Sequence, residues 1–162
     1  ISASAEKLEE RDPAVLGDLI LRAVRIKAAV VRRDPLEKGM RRILNFGHTF
    51  GHVLETHHRI PHGLAVAQGM IIAGELSVWK GEMPHAELRL MQVALENAGM
   101  IGGYPLPAGV TSMIARDKKS ESGSVNFVLL NSVGKAVTRK LSITELQAFV
   151  NYYTEKDSQS QQ

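Results

Sequence analysis

Residues 41–52 read Arg-Arg-Ile-Leu-Asn-Phe-Gly-His-Thr-Phe-Gly-His, and residues 61–63 read Pro-His-Gly. The spacing of His48 and His52 places both side chains on one face of an α-helix. His62 follows a short loop and is positioned to return to that helix. Histidine is the commonest metal ligand in proteins, and Arg and Asn side chains bind anionic, oxygen-rich molecules. The stretch therefore predicts part of a metal-dependent site.

These histidines allow two other interpretations. A helical His-Glu-x-x-His zinc protease motif needs a glutamate base, but Thr49, Phe50 and Gly51 separate His48 from His52. Histidines also cap helices or fill polar pockets. Arg41 and Asn45 on adjoining turns favour a functional site, because in one helix they would share a face with His48 and His52.

Outward from this stretch, the pattern predicts a mainly α domain with one small β-hairpin. The predicted elements are a helix from Asp12-Pro13 to just before Asp34-Pro35, a helix from Met40 to His58, a buried helix over 64–79, a helix from Pro84 to Ala98, a short helix over 110–116, a hairpin over 125–138, and a helix that a Ser142–Glu145 capping box opens and that ends near Tyr153. Gly69 and Gly74 inside the buried helix predict close packing. We expect one helical metal and substrate domain over 1–155 and a polar tail over 156–162.

Composition limits the function further. The chain has 162 residues, 44% of them hydrophobic, with no cysteine and a net charge of +3. This small, scattered positive charge and the few aromatic residues argue against nucleic-acid binding. Since no apolar run reaches the roughly 20 residues of a membrane span, we expect no membrane partner and a cytoplasmic location. The chain begins with Ile1 and has no Gly-rich nucleotide loop, so we expect a fragment whose nucleotide site lies elsewhere.

Several motifs together resemble the 3-dehydroquinate synthase family. The matching residues are 26–31 (Ile-Lys-Ala-Ala-Val-Val), Asp34, Glu37, Gly39, Arg41, 44–52 (Leu-Asn-Phe-Gly-His-Thr-Phe-Gly-His), His62-Gly63, 65–67, Gly69-Met70, 117–119 (Asp-Lys-Lys), Gly123 and 127–130. The resemblance runs from about Asp12 to Val150.

The resemblance implies a two-domain enzyme in which an N-terminal α/β domain binds NAD and this helical domain supplies much of the metal and substrate site. It implies that His48 and His62 bind zinc, or cobalt, and that the third protein ligand is a glutamate N-terminal to Ile1. It makes His52 a catalytic residue, a substrate contact and proton-transfer partner, and not a ligand.

The resemblance also assigns residues to an acidic, phosphorylated substrate. Lys27, Arg41, Asn45 and one of Lys118 and Lys119 match positions that hold its carboxylate and phosphate. Lys27 is also placed with the catalytic residues, as is Glu37, whose task stays open. Leu64 stands where many family members have Glu, so hydrogen bonding around the metal ligands is expected to differ.

The implied reaction is the conversion of 3-deoxy-D-arabino-heptulosonate 7-phosphate into 3-dehydroquinate and phosphate, a carbon–oxygen lyase step of the shikimate pathway for aromatic amino acids. The expected partners are this sugar-acid phosphate, the chain's own N-terminal NAD domain and a second copy in a homodimer. Alternatives are a sister sugar-phosphate cyclase, a metal-dependent alcohol or glycerol dehydrogenase, and a domain that only folds and associates. We expect no turnover from residues 1–162 alone.

Overall fold

The computed structural model describes residues 7–8, 10–117 and 123–160. Its elements are α1 (Pro13–Arg33), a 3-10 helix (Met40–Asn45), α2 (His48–His58), α3 (His62–Trp79), α4 (His85–Glu96), α5 (Val110–Asp117), β1 (Ser124–Ser132), β2 (Lys135–Ser142) and α6 (Ile143–Ser160). The two strands form one antiparallel hairpin. The predicted mainly α class with a single small hairpin is thus confirmed.

Helix α1 begins and ends where the sequence predicts. The Asp12 carboxylate caps it by accepting the N–H groups of Ala14 and Val15 at 2.8 and 3.0 Å. Its apolar stripe is largely uncovered, however, since Ile20 and Val24 are 62% and 56% exposed. The periodicity located this helix without indicating what packs on it.

The predicted continuous helix from Met40 to His58 is wrong. A 3-10 helix ends at Asn45, and α2 begins separately at His48. Gly47 between them has φ of +81°, in the left-handed region where a side chain is disfavoured. A Cβ on Gly47 would lie 2.7 Å from the backbone nitrogen of Met70, so the break lets this backbone approach α3.

Helices α2 and α3 cross at backbone contact. A Cβ on Gly51 would lie 3.1 Å from the Ala65 carbonyl oxygen, and a Cβ on Gly69 would collide with the Gly47 carbonyl oxygen. Most of α3 is buried. The prediction of a buried central helix with glycines for close packing is confirmed. In the described ranges, no helix combines the length and apolarity needed to cross a membrane.

The hairpin packs on this helix pair. Val128 pairs with Thr138 in the strand register, and the Leu130 N–H donates to Ser77 Oγ of α3 at 3.0 Å. The Phe127 ring lies 5.5 Å from that of Phe50 in α2. One apolar core therefore fixes α2, α3 and the hairpin relative to each other.

Helix α6 confirms its predicted start but extends past its predicted end. It runs beyond Tyr153 to Ser160, so the predicted polar tail of 156–162 is helical through that residue. Lys156 Nζ lies 2.7 and 2.8 Å from the two carboxylate oxygens of Glu75, a buried residue of α3. Because a buried carboxylate is costly without a partner, this ion pair holds the last turns of α6 on the domain.

The capping box at the start of α6 gives a pH-dependent contribution to stability. Glu145 accepts the Ser142 N–H and the Lys80 ammonium, each at 3.0 Å. The Ser142 N–H first, and the Lys80 ammonium next, lower the pKa of Glu145 from 4.5 to about 2. A depressed pKa in the folded state stabilises the fold above pH 4.5, and this contribution is lost as the pH falls from 4.5 towards 2.

We expect Glu145→Gln to be less stable than the wild type at neutral pH, with a gap that narrows as the pH falls from 4.5 to about 2. Glutamine keeps one oxygen for the Ser142 N–H but removes the negative charge and the second oxygen that accepts from Lys80. The effect is modest because the Glu145 side chain is 45% exposed. Urea midpoints across this pH range measure it, with Glu155→Gln, exposed on the same helix, as the control. A gap that stays constant with pH would contradict the expectation.

Candidate metal and substrate site

Three histidines meet where α2 and α3 begin. The ring centroid of His48 lies 5.7 Å from that of His52 and 5.5 Å from that of His62, and the last two are 6.1 Å apart. His48 is half-buried, whereas His52 and His62 are exposed. The glycine crossing of the helices thus brings the third histidine back to the first two.

Two of these rings are oriented by oxygen acceptors on their Nδ1 side. His62 Nδ1 lies 2.8 Å from Glu55 Oε2, and His48 Nδ1 lies 3.3 Å from the Phe46 carbonyl oxygen. A carboxylate and a carbonyl only accept hydrogen bonds, so Nδ1 is the donor in both rings. In the neutral form each ring then carries its metal-binding lone pair on Nε2. Metal-binding histidines commonly have such partners.

His48 and His62 are therefore suited to supply two of the ligands of a metal ion. Within the described ranges, no group of three or more His, Cys, Asp or Glu side chains could hold a metal ion. A catalytic zinc site usually has three protein ligands and one open position. A metal here would need at least one further ligand from outside the described residues.

A turn anchored by Asp34 lies between α1 and the 3-10 helix. Its carboxylate accepts the N–H groups of Lys38, Gly39 and Arg41 at 2.9, 2.8 and 3.0 Å. These bonds, with that of Arg41 contributing most, lower the pKa of Asp34. The charged carboxylate is therefore favoured, and it fixes the backbone that leads into the 3-10 helix.

The turn brings three predicted site residues together. Asn45 Nδ2 donates to Glu37 Oε1 at 2.8 Å, and Arg41 Nε lies 3.7 Å from Glu37 Oε2. Glu37 has φ of +54°, and such left-handed backbone in a non-glycine residue costs about 1–3 kcal/mol and is typical of functional sites. The prediction that Arg41 and Asn45 share one α-helical face with the histidines is wrong. The helix is interrupted at Gly47, which separates them from His48 and His52.

A cleft of about 450 Å³ lies between this turn and the hairpin. Its polar lining includes Glu37, Asn45 and Thr49, and also the cations Arg42 and Lys140, which the sequence did not single out. Arg42 merely follows a predicted residue, and Lys140 lies in β2. Only the fold brings Lys140 to the cleft.

None of the contacts described above involves Lys27. Lys27 is exposed on α1, which packs on the 3-10 helix. Lys118 and Lys119 lie outside the described residues. Glu55 was missed by sequence reasoning, although its spacing of seven residues from His48 and three from His52 puts it on the same helical face.

Comparison with known proteins now places the chain. The family model for the 3-dehydroquinate synthase C-terminal domain matches residues 1–120. The chain belongs to this family. It is 36% identical over 147 residues to 3-dehydroquinate synthase of Xanthomonas campestris pv. campestris (strain 8004), and 38% identical over 149 residues to that of Xylella fastidiosa (strain M23). Both matches cover 84% of this chain and only 40% of the relative's length.

Solved structures of sugar-phosphate cyclases share the fold of this 3-dehydroquinate synthase family domain. A 2-deoxy-scyllo-inosose synthase complexed with carbaglucose-6-phosphate, NAD⁺ and Co²⁺ superposes with a TM-score of 0.74 at 26% identity, over 85% of this chain and 41% of that one. The 2-epi-5-epi-valiolone synthase ValA of Streptomyces hygroscopicus subsp. jinggangensis 5008, with NAD⁺ and Zn²⁺ bound, gives 0.73 at 22% identity, over 96% and 45%. This second likeness concerns the fold alone.

Proposed function

We propose that this chain is the metal- and substrate-binding part of a 3-dehydroquinate synthase, which converts 3-deoxy-D-arabino-heptulosonate 7-phosphate into 3-dehydroquinate and phosphate. The observation that carries the proposal is the meeting of His48, His52 and His62 beside the Asp34-anchored turn, in a chain of this family. A metal ligand pair and a set of anion-binding side chains are what such a substrate needs.

His48 and His62 are the proposed ligands of zinc or cobalt. Their Nδ1 contacts, to the Phe46 carbonyl and to Glu55, support binding through Nε2. The third ligand comes from outside the described residues. When bound, the metal would polarise a substrate hydroxyl as a Lewis acid and NAD would exchange hydride with the substrate.

The other residues bind the substrate and move protons. Arg41 and Lys27, with Lys118 or Lys119, neutralise its carboxylate and phosphate through charge-assisted hydrogen bonds, and the neutral Asn45 amide donates a further hydrogen bond. Glu37 holds Asn45 at 2.8 Å and so orients its amide. His52, exposed beside both proposed ligands, is the proposed proton-transfer group.

A sister sugar-phosphate cyclase is the second candidate. It is supported by the likeness to 2-deoxy-scyllo-inosose synthase, whose structure holds a sugar-phosphate analogue. The cations Arg42 and Lys140 in the cleft suit the phosphate of either substrate. This set of cations argues against an alcohol or glycerol dehydrogenase, because simple alcohols and glycerol carry no anionic group. The homodimer, the NAD-domain partner and the cytoplasmic location stay predictions.

The test is phosphate release by the full-length protein that contains this chain. With 3-deoxy-D-arabino-heptulosonate 7-phosphate, NAD and zinc, we expect phosphate and 3-dehydroquinate in equal amounts. Chelation is expected to stop release and added zinc to restore it, while omission of NAD stops it independently. A metal-free and an NAD-free sample of the same preparation are the controls.

Each alternative gives a different result in this assay. Release only from sedoheptulose 7-phosphate or glucose 6-phosphate would move the assignment to a sister cyclase. NAD reduction by glycerol or a simple alcohol, without phosphate release from any sugar phosphate, would favour a dehydrogenase. Full release after complete removal of metal would overturn the proposed role of His48 and His62.

A further inference from the structure

Glu55 makes a direct side-chain contact with a proposed metal ligand. Its Oε2 lies 2.8 Å from His62 Nδ1, although the two residues belong to different helices. The side chains of Glu55 and His62 are 37% and 54% exposed, respectively. As a surface ion pair alone, this contact would add little to stability. The position of Glu55 beside a proposed metal ligand also allows it to orient that ligand.

That role follows from the chemistry of imidazole. A neutral histidine carries its proton on either ring nitrogen, and the other nitrogen holds the lone pair that binds a metal. An ionised carboxylate only accepts, so Glu55 selects the form of His62 with the proton on Nδ1. The lone pair is then on Nε2, and the hydrogen bond also restricts rotation of the ring.

The same arrangement occurs at His48, where the Phe46 carbonyl oxygen lies 3.3 Å from Nδ1. At His48 the main chain supplies the acceptor, which no side-chain substitution removes. At His62 the acceptor is a side chain from the neighbouring helix. Positions 48, 52 and 55 share one face of α2, so this helix presents both the first ligand and the group that orients the second.

We infer that Glu55 is a positioning residue that sets the proton position and ring orientation of His62 for metal binding through Nε2. The inference rests on the proposed function, in which His62 is a ligand. Glu55 itself touches neither metal nor substrate in this role. It acts by disfavouring the proton positions and ring orientations in which His62 cannot bind a metal ion.

The experiment measures metal affinity and histidine proton position separately. Zinc and cobalt dissociation constants of the full-length protein are determined for wild type, Glu55→Ala, Glu55→Gln and His62→Ala. Glu155→Gln, a charge change at an exposed position of α6, is the matched control. In the metal-free proteins, nitrogen NMR of the His62 ring reports which nitrogen is protonated, and the visible spectrum of bound cobalt reports ligand geometry.

We expect Glu55→Ala to weaken metal binding about 10- to 100-fold, the usual effect of losing such a partner. Glu55→Gln should recover part of this loss, because its amide oxygen still accepts from Nδ1. In Glu55→Ala the His62 ring should show a mixture of the two proton positions, and the cobalt spectrum should change. Glu155→Gln should match the wild type in all three measurements.

Wild-type affinity, His62 proton position and cobalt spectrum in Glu55→Ala would overturn the inference and leave an ordinary surface pair. If His62→Ala also binds metal like the wild type, the proposed ligand role of His62 fails, and the inference fails with it. Because His62→Ala is measured beside Glu55→Ala, the two failures are distinguishable.

Discussion

Replacing His62 by alanine in the full-length protein is expected to abolish metal binding and turnover together. His48 is the only other proposed ligand among the described residues. A catalytic zinc site usually has three protein ligands, so the change removes one that no other residue replaces. The loss of metal affinity should exceed the 10- to 100-fold effect typical of an outer partner such as Glu55. His48→Ala should behave in the same way. Metal content by mass spectrometry and phosphate release measure both effects.

The histidine series also separates ligand from non-ligand. His52→Ala should retain the metal but lose turnover, because the proposed role of His52 is proton transfer and not coordination. Its ring lies 5.7 Å from that of His48, so the two variants test neighbouring residues with different roles. His85→Ala, exposed at the first residue of α4, should change neither quantity. Bound zinc with full activity in His62→Ala would refute the ligand assignment. Loss of zinc in His52→Ala would make His52 a ligand and refute its separate role.

Local sequence signals predicted most of the fold because they act within a few residues. Asp12 before Pro13 fixes the start of α1, where the Asp12 carboxylate accepts the Ala14 N–H. Ser142 with Glu145 fixes the start of α6, where the Glu145 N–H donates to Ser142 Oγ. The break at Gly47 was missed because the apolar pattern continues through it and a glycine is tolerated within a helix. Its left-handed φ accompanies a close approach to α3, which is a tertiary contact.

The residues of the candidate site were identified to a similar extent, and their roles stay predictions. His48, His52 and His62 were identified from spacing and resemblance, and the fold brings them together. The partners that orient them were not, because Glu55 meets His62 only after the chain has turned between two helices. Lys140 reaches the cleft through strand pairing, and Lys156 reaches Glu75 across 81 positions of sequence. Such pairs depend on packing, which no short pattern records.

Gly69→Ala is expected to lower the free energy of unfolding by about 3 kcal/mol, at the upper end of overpacking effects. The added Cβ would collide with the Gly47 carbonyl oxygen and lie 2.7 Å from the Gly51 backbone nitrogen. Both neighbours are main chain, so no side chain can rotate away and α2 and α3 must separate. Since this crossing holds His48 beside His62, weaker metal binding should accompany the lost stability.

Substitutions at two other glycines serve as comparisons for Gly69→Ala. At Gly74 the atoms nearest an added Cβ belong to side chains and not to the main chain, with those of Met91 and Leu88 at 2.7 and 2.8 Å, so Gly74→Ala should cost about 1 kcal/mol. At Gly17, exposed in α1 with nothing within 4 Å, alanine should stabilise by up to about 1 kcal/mol through helix propensity. Denaturant unfolding followed by circular dichroism measures all three. If Gly69→Ala is as stable as Gly74→Ala or more stable, backbone contact at the crossing does not hold the two helices together. The positions of His48 and His62 must then depend on other contacts.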